Sequence, residues 1–241
     1  MKLSLSLPTA CLLALAGVGT AQEPKPAYVG QPDVENPDTS TKGMLGTYVG
    51  AFGDKKITIC IDRVVGKTVT GYSIVAGNER AFSGSWSGIE GDITVFAKEP
   101  GDDRTDGTFR FTFIQKSKSL LGEWVANEES IGTRKFNLPA RKFVFNPNAG
   151  QYPQASTRLL TEKDVENLRN EELRIMRNEI YARHGYSFKL ADMREYFDKQ
   201  DWYMPVAVDI AHQLSKLEQS NAALIKRYEK YSVEHYDDYG R

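Results

Sequence analysis

Three cationic side chains stand close together in the C-terminal half of the chain: Arg177, Arg183 and His184. An arginine fork matches a planar anion bidentately, and a protonated imidazole adds a further donor, so the trio suits a carboxylate or similar anionic group. Tyr181 lies among them, and Trp202 and Tyr203 follow, offering flat amphipathic surface beside such a group. These six residues form the candidate binding set. His184 could also work with Glu179 as an acid–base pair in a hydrolase. Side chains five positions apart on an ideal helix face different ways, which argues against that dyad.

The rest of the chain offers little other chemistry. Glu99, Asp102, Asp103 and Asp106 gather four carboxylates in one loop, but their spacing is not that of a calcium-binding EF-hand. A solvated hairpin loop is expected there. The histidines His184, His212 and His235 have no ligand spacing, and no HExxH, paired-cysteine motif, phosphate loop or nucleophile elbow occurs. No cofactor or metal is expected, and the chain reads as a non-catalytic protein.

The elements that must position these residues fall in two compositionally distinct parts. Fourteen of the 20 glycines lie within 43–132 and nine of the 12 tyrosines lie from Tyr152 onward, which puts a boundary near residue 150. Within 43–148, apolar residues alternate with polar ones, as in Ile57, Ile59 and Ile61 or Phe109, Phe111 and Phe113. Turn residues recur at short intervals, predicting about eight strands in an antiparallel β-meander, closed as a barrel or folded as a sandwich. A glycine precedes an aromatic residue at Gly46–Tyr48, Gly71–Tyr72, Gly84–Trp86, Gly107–Phe109 and Gly122–Trp124, as at strand bends where backbones approach closely. Such spacing also occurs in small up-and-down barrels of the lipocalin and avidin types, and it raises the alternative of an apolar ligand carried inside the barrel.

From residue 155 to 233 the period changes to 3.6, predicting a small all-α domain of about four helices and an α+β protein overall. Thr161 with Asp164 reads as the cap of a first helix, and Asn170 as the cap of a second over 171–184. A third falls near 190–199, and Ser215 with Glu218 is a capping box for a fourth. Gly185 suits the left-handed position that closes the second helix. Glu179 and Arg183, four apart, read as a surface ion pair. Leu173, Met176, Arg177, Ile180 and His184 share one face, so an arginine and a histidine stand on the side that should pack inward.

The stretch Tyr181-Ala182-Arg183-His184-Gly185 resembles the signature of the YARHG domain, an extracellular bacterial module. The likeness continues through Tyr196-Phe197, Trp202-Tyr203 with Pro205, and the helix bearing Glu218 and Asn221, over roughly 155–231. It implies an exported protein and implies no reaction.

The N-terminus agrees with export. Residues 1–21 read as a signal peptide: Lys2, an apolar run, then Gly19-Thr20-Ala21 before the cleavage point. Cys11 lies within the apolar run after Pro8, so lipoprotein anchoring through it is not expected. Removal of that segment leaves Cys60 alone, as a packed thiol in a strand. Residues 22–42 hold Pro24, Pro26, Pro32 and Pro37 and predict an extended linker, while 234–241 form an acidic tail. With 31 basic and 32 acidic residues, composition gives no case for nucleic acid, and no mature segment is apolar enough to span a membrane. The expected role is binding a partner protein or cell-wall component in the periplasm or outside the cell.

Overall fold

The computed structural model describes residues 41–88 and 91–235. The expected signal peptide, Cys11, nearly all of the linker and the end of the acidic tail lie outside them.

After a single 3₁₀ turn at Lys42–Met44, eight strands follow one another: β1 (Gly46–Phe52), β2 (Lys55–Val65), β3 (Thr68–Val75), β4 (Asn78–Ser87), β5 (Ile93–Lys98), β6 (Gly107–Ile114), β7 (Ser119–Ala126) and β8 (Thr133–Pro139). Each pairs antiparallel with the next in a single sheet. The sheet curls until its edges meet. Tyr48 bridges Ala140 just beyond β8, and the Arg141 amide donates to the Thr47 carbonyl at 2.8 Å. The result is a nearly closed barrel.

The glycines explain part of that curvature. A Cβ on Gly84 of β4 would lie 1.9 Å from the Phe96 carbonyl oxygen of β5, and one on Gly122 of β7 would lie 2.3 Å from the Arg110 oxygen of β6. Any side chain there would push neighbouring strands apart. The interior is filled by side chains. Phe82, Phe109, Phe111 and Phe136 meet with ring centroids 5.5 to 6.5 Å apart, and Trp86 and Trp124 are buried with them.

Four helices follow: α1 (Gln154–Thr157), α2 (Asn170–Arg183), α3 (Ala191–Asp198) and α4 (Lys216–His235). Two details differ from expectation. The Thr161–Asp164 box closes, with Asp164 Oδ2 accepting both the amide and hydroxyl of Thr161, yet it starts only a 3₁₀ turn over Glu162–Asp164. Val165 is drawn into the core directly afterwards, so no helix propagates, and the first helix is the preceding α1. α4 also runs to His235, two residues into the segment read as tail.

The two parts are packed together. The period-two pattern places Thr58 and Cys60 on the outer face of β2, but both are buried, Thr58 against Pro205 of the helical domain and Cys60 beside Thr47 of β1. Val49 of β1 packs with Phe143, Met204 and Val206. The Thr58 hydroxyl donates to the Pro205 carbonyl at 2.5 Å, and the Gly77 amide donates to Ser187 Oγ at 2.9 Å. Lys56 gives its amide to Asp198 and its ammonium to the Gln200 and Tyr203 carbonyls. Burial pushes the Lys56 ammonium down and the Asp198 carboxyl up, each opposed by the other's charge. Cys60 is a free, buried cysteine whose thiol is pushed up by burial, a setting for an inert packed side chain.

Candidate functional site

α2 carries the basic cluster; its start is fixed by a different device from the one expected, and its end closes as expected. Asn170 is the first helical residue and is not the cap: its amide nitrogen crosses to Glu229 O and Ser232 Oγ on α4. The free start of the helix is tied instead by Glu172, which accepts the Arg169 amide at 2.8 Å. At the other end Gly185 has φ of 76°, the Tyr186 amide donates to Tyr181 O and the Gly185 amide to Ala182 O. This is a Schellman closure, and the Tyr181 and Tyr186 rings touch edge to face across it.

Each cation on α2 meets its own carboxylate. Arg183 and Glu179 form an ion pair at 2.8 Å with side chains 0% and 1% exposed, so the expected surface pair is a buried one. The cause is the chain preceding α1, which wraps over it. Glu179 accepts the amides of Gln151 and Tyr152, while Arg183 donates to Ala149 O and Ser156 Oγ. Gly150 crosses directly above, where a Cβ would lie 2.5 Å from the Glu179 carboxyl carbon. Burial pushes the Arg183 guanidinium down, against the pull of the Glu179 and Glu218 charges.

His184 points its Nε2 at both oxygens of Glu218, 3.0 and 3.1 Å away, under the Phe145 ring. Glu218 is also the capping-box residue of α4, accepting the amide and hydroxyl of Ser215 and donating its own amide back to Ser215 Oγ. Burial pushes the Glu218 carboxyl up, but hydrogen bonds from His184, Ser215 and Ser156 and the His184 charge hold it down at about 2. Arg177 pairs with Glu229 of α4 at 2.5 and 3.0 Å. Asn221 uses both ends of its amide, accepting from the Leu160 amide and donating to the Ala155 and Arg158 carbonyls.

The six candidate residues therefore separate. Arg183, His184 and Tyr203 lie in the interior, and the Tyr203 hydroxyl donates to Tyr186 O at 2.7 Å. Trp202 stands half-buried against Phe197 and Tyr203. Arg177 and Tyr181 come together on an open groove of about 520 Å³ between α2, the start of α3 and residues 208–214. Its walls include Tyr186, Phe188, Met193 and Ile210, with Leu190 at the edge 66% exposed. The Arg174–Asp192 and Arg177–Glu229 ion pairs border it.

In the carboxylate loop, Glu99 turns inward to accept from the Gly107 amide and the Trp124 indole. Asp106 pairs with Arg80, and Asp103 accepts from the Thr105 amide and hydroxyl. Among the described residues, no group of three or more histidine, cysteine or carboxylate side chains is placed to hold a metal. Sequence reasoning missed the partners Glu229 and Glu218 of Arg177 and His184. The inward-facing Arg177 and His184 were the available signal, since a charge on a core face requires a counter-charge.

These features define a class: a nearly closed antiparallel barrel carrying a compact helical module sealed by buried ion pairs. Residues 148–230 of that module match the model of the YARHG domain, so the match reaches seven residues upstream of 155. That extension contains Ala149, Gly150, Gln151 and Tyr152, which cover the Arg183–Glu179 pair. No curated protein and no solved structure matches the chain. YARHG is an extracellular module, and among the described residues no helix is long and apolar enough to cross a membrane.

Proposed function

We propose that the protein is exported by way of its first 21 residues and acts as a non-catalytic binding module in the cell envelope. Its partner is an envelope protein that lays an apolar or aromatic segment in the groove beside α2. The observation that carries this reading is the groove itself. It presents Tyr181, Tyr186 and the exposed Leu190, while Arg177 and Arg174 at its border are already paired with carboxylates. Such a surface offers contact area and aromatic anchors rather than a reacting group. His184 is engaged with Glu218 and Glu179 with Arg183, which leaves the two without the contact a hydrolytic dyad requires.

A photo-crosslinking amino acid placed at Leu190 tests the proposal in cells. A defined protein adduct that disappears on Tyr181→Ala supports it. No protein adduct, together with sedimentation on purified peptidoglycan, would replace the protein partner with a cell-wall one.

A further inference from the structure

The end of the barrel where the β1–β2, β3–β4 and β7–β8 turns gather holds a second cavity, of about 320 Å³. Its floor is apolar: Phe52, Ile57, Phe109 and Trp124, with Ile131 at the side. Four charged side chains line it, and they are not equally occupied. Glu99 is saturated by Ser73, the Gly107 amide and the Trp124 indole. Arg80 is committed to the Thr105 carbonyl and hydroxyl and to Asp106.

Arg134 and Lys55 differ. The Arg134 guanidinium lies over the Phe52 and Trp124 rings at 5.3 and 5.8 Å, and neither it nor the Lys55 ammonium has a hydrogen-bond or ion-pair partner among the described residues. The one anion in the cup is thus fully used, while two half-buried cations stand unmatched above an aromatic floor. The complement of that arrangement is a negative head on an apolar body.

We propose that this cup binds a small amphipathic carboxylate. The carboxylate bridges Arg134 and Lys55, and the apolar part rests on Phe52, Phe109 and Trp124. The volume is within the range of small-molecule sites. The site lies in the other domain from the partner groove and does not depend on it.

Calorimetric titration of the full mature chain with octanoate, 1-octanol and octylamine tests this. Octanoate should bind saturably, with a change in tryptophan emission because Trp124 lies in the floor, and at least tenfold more tightly than octanol. Octylamine should not bind measurably. Arg134→Gln and Lys55→Gln should each weaken octanoate at least tenfold while keeping the wild-type circular dichroism. Leu190→Glu, in the groove, should leave octanoate affinity unchanged. Absent saturation with octanoate, equal affinity for octanol, or unaltered affinity in folded Lys55→Gln would each overturn the proposal.

Discussion

Gly185 meets two demands at once, and they add. Its φ of 76° lies in the left-handed region, where a Cβ alone costs about 1 kcal/mol. That Cβ would also lie 2.4 Å from Val206 Cγ2 and 3.1 Å from the Met204 carbonyl oxygen. Gly185→Ala should therefore cost about 3 kcal/mol in urea unfolding. Gly66, with φ of 56° and open space around it, is the control, and Gly66→Ala should cost only about 1 kcal/mol. Equal losses would mean that the contact with Met204 and Val206 adds nothing.

The Glu218 carboxyl provides a second test at this scale. Its folded pKa of about 2 is below the unfolded value, so its stabilisation is complete above about pH 4.5 and is lost as pH falls toward 2. Glu218→Gln should lower stability at pH 7 by about 2 kcal/mol and flatten the acid dependence between those limits. Parallel pH profiles for variant and wild type would assign the acid dependence to other groups.

Among the elements, the barrel was the more legible part because its signals are local. Alternation marks the buried faces of β2 and β6, and turn residues indicate the strand count. The recurring glycine before an aromatic residue marks close backbone approach at Gly71, Gly84, Gly107 and Gly122, but not at Gly46, which has open space around it. Gly84→Ala must separate β4 from β5, since its Cβ falls 1.9 Å from Phe96 O, and should cost 3 kcal/mol or about that in chemical denaturation. A loss under about 1 kcal/mol would show that the strands part easily there.

The helices were legible in number, and Ser215 with Glu218 closed as the sequence indicated. Their starts were less so. Asn170 has the right chemistry for a cap, but Glu229 O and Ser232 Oγ on α4 hold its amide, and nothing local in the sequence distinguishes the two fates. The Arg183–Glu179 pair was misplaced for a related reason. A pair four apart on a helix is exposed or buried according to what crosses it, and what crosses it is the 149–152 loop from outside the helix.

At the scale of the whole molecule, the barrel and the YARHG domain share a face that neither pattern announces. The apolar residues concerned, Val49, Phe143, Met204 and Val206, are few and come from segments far apart in sequence. Polar groups seal the junction: Thr58 Oγ1 on Pro205 O, Gly77 N on Ser187 Oγ, and the Lys56 amide and ammonium on Asp198, Gln200 and Tyr203. Detaching the domains would expose this cluster and leave the Lys56 and Asp198 charges to separate, so unfolding of one part should draw the other with it. Calorimetry of the chain should show a single endotherm. Met204→Asp places a carboxylate among Val49, Phe143 and Val206, an apolar setting without a partner for it. The interface should then open before either core melts, splitting the endotherm into two, while the barrel's own packing of Phe82, Phe109, Phe111 and Phe136 is untouched. Octanoate provides an internal check, because its cup is built wholly from barrel residues and should raise only the barrel's transition in the Met204→Asp chain. Two endotherms already present in the wild type would show that the junction is a contact without cooperative weight.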